Sequence, residues 1–60
     1  MSIRVLIVDD HKIMREGLRS LLEKQPDIEV VAEAESAQKA LKLVEEMTPN
    51  VVIIDIVIYC

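Results

Sequence analysis

Three aspartates hold the positions in this sequence where chemistry would be expected. Asp9 and Asp10 close the apolar run Ile3-Arg4-Val5-Leu6-Ile7-Val8, and Asp55 interrupts a second run, Val51-Val52-Ile53-Ile54-Asp55-Ile56-Val57-Ile58. An ionised carboxylate within a branched apolar stretch is costly unless it faces a cation, a hydrogen-bond donor or water. Each feature alone has an ordinary reading. Asp55 could cap the turn after a strand, and Asp-Asp ahead of a helix compensates the helix dipole and its unpaired amides. Brought together, the acids would repel one another unless a cation sat among them. An all-oxygen set suits a hard ion such as Mg²⁺, which keeps several of its waters.

Whether they meet depends on the elements that carry them. Both apolar runs are rich in β-branched residues and lack polar alternation, as strands covered on both faces of a parallel sheet do. From Lys12 the period changes: Ile13, Gly17, Leu18, Leu21 and Leu22 recur at helical spacing, with Lys12, Arg15, Glu16, Arg19, Glu23 and Lys24 on the other face. Pro26 should end this helix near Gln25. Ile28 to Ala34 alternates, with Ile28, Val30, Ala32 and Ala34 expected on one side and Glu29, Val31 and Glu33 on the other, which marks an exposed edge strand. Ser36 is suited to cap a second helix whose stripe is Ala37, Ala40, Leu41, Val44 and Met47, and Thr48-Pro49-Asn50 breaks it before the last strand.

The order β-α-β-α-β implies a parallel sheet with right-handed crossovers. Two uncharged strands and one charged strand give the expected order 2-1-3, an α/β half of a doubly wound, flavodoxin-like sheet. The carboxyl ends of strands one and three then lie side by side at a reversal of strand order, where open α/β sheets bind ligands. That arrangement would bring Asp9, Asp10 and Asp55 together.

Composition narrows the classes. Sixty residues, 52% hydrophobic and 30% charged, make one small globular domain spanning residues 1–60. A formal net charge of −4 and a pI near 4.8 argue against a general nucleic-acid binder. No signal-like or membrane-length apolar run occurs, so a cytoplasmic location is expected. The lone Cys60 offers no internal disulfide. No Gly-rich loop follows the first strand, and no Ser or Cys has a partnered base, so neither a nucleotide fold nor an enzyme is expected.

Ile3 to Ile56 resembles the first half of a response-regulator receiver domain. Val8-Asp9-Asp10-His11 and Arg15-Glu16-Gly17-Leu18 are most similar to the branch with LuxR-type output domains. The resemblance implies that Asp55 accepts a phosphoryl group from a sensor histidine kinase. It implies further that Asp9 and Asp10 hold Mg²⁺ together with Asp55 and the backbone carbonyl of Val57, the ion neutralising phosphoryl oxygens. The sequence departs from the family after Asp55: Ile58-Tyr59-Cys60 stand where receivers continue with Met-Pro and a glycine. The family's phosphoryl-binding Ser or Thr, its Lys and the output domain have no counterpart here, so phosphotransfer is expected to be weak or absent and DNA binding absent.

The remaining residues have plainer readings. His11 is expected to be a partly exposed residue of the helix start rather than a ligand, Gly17 a close contact to the sheet, and Met14 and Met47 core filler. Lys12 is at most a weak candidate for a phosphoryl contact. The apolar third strand, Val51 to Ile58, would be a bare edge, so self-association through it or through uncovered helix faces is the alternative to a phosphoacceptor module.

Overall fold

The chain alternates strand and helix because β-branched runs, continuous in the first and third and alternating in the second, take turns with stretches whose apolar residues recur about every 3.6 residues. The computed structural model describes residues 2–55. It places strand β1 at Ile3–Asp9, helix α1 at Lys12–Glu23, strand β2 at Ile28–Ala34, helix α2 at Ala37–Met47 and strand β3 at Val51–Asp55. The strands form one parallel sheet in the order β2-β1-β3, as the charge distribution predicts. The expected continuation of the third strand through Ile56, Val57 and Ile58 lies outside the described residues.

β1 is the centre of the sheet, and Val5, Leu6, Ile7, Val8 and Asp9 are all buried. Leu6 and Val8 pack with Ala34 of β2 and Ala40 of α2, with Ala32 and Leu43 half-buried against them. Val5 and Ile7 point to the opposite face. There α1 presents Arg15, Leu18 and Leu22, all half-buried.

β2 departs from its expected alternation. Val5 registers with Val30, but the next residue, Leu6, registers with Ala32, so Val31 is an extra residue in the pairing. A bulge of this kind exchanges the faces of the residues on either side of it. Ile28 and Val30 therefore share a face with Ile3 and Val5, whereas Ala32 and Ala34 turn to the Leu6 and Val8 face. Glu33 now lies over Ile7, and its carboxylate meets Arg15 and Arg19 of α1.

Three sequence-based assignments on the helices change. Gly17 does not meet the sheet: a Cβ built on it would have nothing within 4 Å. Its stripe, with Ile13 at 85% and Leu21 at 62% exposure, faces outward. In α2 the packing stripe is Ala40, Leu43 and Met47, while Ala37, Leu41 and Val44 are exposed. Of the two methionines in the helices, Met47 is half-buried but Met14 is 52% exposed.

The helix boundaries follow local chemistry. The C-cap Lys24 N–H donates to the Leu22 carbonyl, and Pro26 follows. Ser36 Oγ accepts from the Lys39 amide at 3.3 Å, the expected N-cap of α2. Thr48 ends α2 in the left-handed region at φ 43°. Asn50 then ties this link to β1: its Oδ1 accepts from the Arg4 amide at 2.9 Å, and its own amide donates to the Arg4 carbonyl at 2.8 Å.

Candidate functional site

β1 delivers Asp9 to the carboxyl edge of the sheet, and the short turn into α1 follows at once. Asp9 is fully buried, with 0% exposure. Its Oδ1 accepts from the His11 amide at 2.8 Å, an Asx-type turn that orients the first residues of the helix. Its Oδ2 is also buried and has no hydrogen-bond partner. A buried carboxylate oxygen without a donor carries a substantial desolvation cost, which a cation at that oxygen would offset. The donor chemistry of the site therefore fits a divalent ion.

Asp9 and Asp55 are register partners across β1 and β3. Registered residues of a parallel pair project to the same face, so the two carboxylates leave the sheet edge side by side. They do not share an environment: Asp55 is exposed. Asp10 is half-exposed, with a side-chain accessibility of 39%. The carbonyl of Val57, which the resemblance assigns to the metal site, lies outside the described residues.

The tight cluster is Asp9, Asp10 and His11, whose possible ligand atoms all lie within 4.8 Å of one another. His11 occupies the N-cap position of α1, as its place in the sequence suggests, but its side chain makes no capping bond. The ring turns back instead, with Nδ1 2.9 Å from Asp10 Oδ1 and 3.5 Å from Asp9 Oδ1. Spacing alone does not reveal this, because a residue at a helix start has a wide choice of rotamers.

Arg15 is the positioning residue that the helical pattern hides. It falls on the polar face by simple counting, yet it shares the inward stripe with Leu18 and Leu22, three and seven residues on. Its Nη1 donates to the Asp9 carbonyl oxygen at 2.6 Å, and its Nε lies 3.7 Å from Glu33 Oε1. The guanidinium thus pins the backbone that carries the acid pair.

A separate groove between α1 and β2 holds none of the aspartates. Its lining includes Lys12, Arg15, Arg19, Glu33 and Lys39. Most of these charges pair within the chain: Arg19 bonds Glu23 at 2.6 Å and Glu33 at 2.7 Å, and Lys39 pairs with Glu35. Glu23, and next Glu33, hold the Arg19 guanidinium above its usual range, and Lys39 holds the Glu35 carboxyl below its own. Such exposed pairs mark a solvated network rather than a binding cleft. No helix among the described residues is long and apolar enough to cross a membrane.

Comparison with known proteins gives the family and the fold. The model of the family described as "Response regulator receiver domain" matches residues 5–59. The chain is 47% identical over 55 residues to the transcriptional regulatory protein LiaR of Bacillus subtilis, covering 92% of this chain and 26% of that protein. It is 43% identical to the transcriptional regulatory protein DegU of Brevibacillus brevis, covering 92% of this chain and 23% of that protein. Among solved structures, the response regulator domain of Thermotoga maritima CheB superposes with a TM-score of 0.85 at 38% identity, over 87% of this chain and 39% of that one. The chain spans about a quarter of the length of these two curated relatives.

Proposed function

The chain belongs to the response-regulator receiver family over residues 5–59, and from that premise we propose that Asp55 is its phosphoacceptor and that Asp9, Asp10 and Asp55, with the Val57 carbonyl, hold Mg²⁺. Receivers work with sensor histidine kinases, so the donor would be a phosphohistidine, met in the cytoplasm. The observation that carries the reading is the pairing of Asp9 with Asp55 across the sheet edge, one carboxylate buried with an unpartnered oxygen and the other open to solvent.

Each residue has a definable task. Asp55 presents an exposed carboxylate oxygen, which would form a bond to phosphorus as the bond from phosphorus to the donor imidazole nitrogen breaks and the imidazole leaves. Asp9 and Asp10 supply anionic oxygens beside it. Arg15 holds the Asp9 backbone and hence the position of both acids. Bound there, Mg²⁺ supplies the positive charge that lets an anionic carboxylate approach an anionic phosphoryl group. Incubation with Mg²⁺ and acetyl phosphate followed by intact mass spectrometry tests the assignment. One added phosphoryl group, lost in Asp55→Ala and on chelation of Mg²⁺, supports it; a group that persists in Asp55→Ala contradicts it.

A second reading, association between copies, is favoured by β3. Among the described residues no strand pairs with its outer edge, and Val51, Val52 and Ile54 are 45%, 37% and 67% exposed. An unpaired apolar edge recruits another strand. Leu41 and Val44 of α2 add apolar surface at 70% and 37% exposure. Light scattering coupled to size exclusion should show dimers or larger species; a monomer at high concentration would count against it.

A further inference from the structure

We infer that His11 is a fourth side-chain ligand of the acidic site, so that this chain takes a borderline transition cation, with Ni²⁺ as the probe, more tightly than an all-oxygen site would. The inference deepens the metal reading of Asp9, Asp10 and Asp55 and rests on it. Two independent observations point the same way. The first is the geometry of the imidazole. Cis ligands of an octahedral ion with bonds of roughly 2.1 Å stand about 3.0 Å apart, and His11 Nδ1 lies 2.9 Å from Asp10 Oδ1 and 3.5 Å from Asp9 Oδ1. The ring nitrogen and Asp10 are thus spaced like one edge of a coordination polyhedron, and a possible ligand atom of Asp9 lies within 4.8 Å of both. The second is the orphaned Asp9 Oδ2, on a side chain with 0% exposure. Asp9 Oδ1 is occupied by the His11 amide at 2.8 Å, which leaves the other oxygen for a cation.

The consequence is selectivity. Oxygen donors suit Mg²⁺, whereas an imidazole adds little for Mg²⁺ and much for ions further along the Irving–Williams order. The backbone of His11 does the structural work of the turn, donating to Asp9 Oδ1 and accepting from the Arg15 amide at 3.0 Å. The side chain can therefore be removed without removing those bonds.

His11 is the single histidine of the chain, so its imidazole NMR signals are unambiguous. The test titrates Ni²⁺ and Mg²⁺ separately by calorimetry into the unaltered chain, His11→Ala, His11→Gln and Asp10→Asn, with circular dichroism to verify folding and with the His11 ring signals followed during the Ni²⁺ titration. A Cys60→Ser background removes the thiol as a competing ligand. The expected result is a loss of about tenfold or more in Ni²⁺ affinity in both His11 variants, less than about twofold change for Mg²⁺ because its oxygen ligands remain, and loss of both ions in Asp10→Asn. Ring signals that broaden at one equivalent of Ni²⁺ support the same conclusion. Unchanged Ni²⁺ affinity in the His11 variants, with both ions still lost in Asp10→Asn, overturns the inference and leaves the Mg²⁺ site standing. Ni²⁺ binding that needs His11 but ignores Asp10 also overturns it, since the ion would then sit on a lone surface imidazole. Mg²⁺ binding that is absent, or indifferent to Asp10→Asn, overturns the Mg²⁺ reading and this inference together.

Discussion

The two strands that flank β1 are buried in the reverse order of their polarity: β2, with two glutamates, is mostly half-buried, whereas β3, apolar up to Asp55, is mostly exposed. On the β2 side both helices pack against the sheet, Ala34 is 2% exposed, and Arg15 and Arg19 fasten Glu33 across the face. On the β3 side the backbone pairing is continuous from Val5–Val51 to Asp9–Asp55, yet among the described residues neither helix packs on β3. β-propensity and register make a strand, but only a covering layer makes it a core strand. The same contrast divides the acids at the strand ends: Asp9 is buried and held by the turn, and its register partner Asp55 is exposed. In the proposed function the first would help hold the ion and the second would be reached by the phosphoryl donor.

Stability measurements should break or sharpen this contrast. The largest difference is expected between Leu6→Ala and Ile54→Ala. Leu6 is fully buried, so its truncation should cost about 2–5 kcal/mol and leave a domain this small largely unfolded. Ile54 is 67% exposed, and its truncation should change stability by less than about 0.5 kcal/mol. Urea titration monitored by circular dichroism compares the two, and equal losses would mean that the β3 flank is covered in solution.

The next largest effect concerns the two acids. Asp9→Asn keeps an oxygen for the His11 amide and removes a buried, unpartnered charge, so in chelator it should raise stability by about 1–3 kcal/mol. It should also abolish the stabilisation that added Mg²⁺ gives by binding the folded state. Asp55→Asn should lose much of the Mg²⁺ effect while shifting metal-free stability by less than about 0.5 kcal/mol, because Asp55 is exposed. Melting with and without Mg²⁺ reads both, and identical behaviour of the two variants would erase the proposed division of labour.

Gly17→Ala follows. The position lies in the middle of α1 with open space around its Cβ, so alanine should stabilise by about 0.5–1 kcal/mol. A destabilisation would show that another surface sits against this stripe in solution. The smallest expected effect is on the charged rim. Lys39 lowers the Glu35 carboxyl below its ordinary value. The pair's contribution is therefore present above that ordinary value and is lost as pH falls through the lowered one. Because the carboxyl is fully exposed, the change should be a slight fraying at the start of α2, detectable as acid-dependent amide exchange there and absent in Lys39→Gln.

Much of this was legible in the residues. Long branched apolar runs define β1 and β3, the helical period of α1 and α2 is regular, and the charges of β2 place it at an edge, so strand order follows from composition. The pairing of Asp9 with Asp55 follows too, because strand ends in a parallel sheet are neighbours. What stayed hidden is set by tertiary packing. The extra residue at Val31 is invisible in a sequence that alternates smoothly across it, although it decides that Glu33 faces Arg15 and Arg19. The apolar stripe expected in α1 is wider than the face the sheet takes: Leu18 and Leu22 turn inward with Arg15, while Ile13, Gly17 and Leu21 on the adjoining side stay exposed. In α2 the choice between Leu41 and Leu43 is similarly settled by the position of Ala40 on the Leu6 and Val8 face. The ring of His11 obeys no period at all.

Binding of one divalent ion by Asp9, Asp10 and Asp55 between β1 and β3, as proposed, is tested most directly by an NMR titration with Mg²⁺. The amide signals of Asp9, Asp10 and Asp55 should move together along one saturable curve with a single Kd, and Asp10→Asn should remove all three responses. Movement of Asp9 and Asp10 while Asp55 stays still, or a separate curve for Asp55, would contradict it.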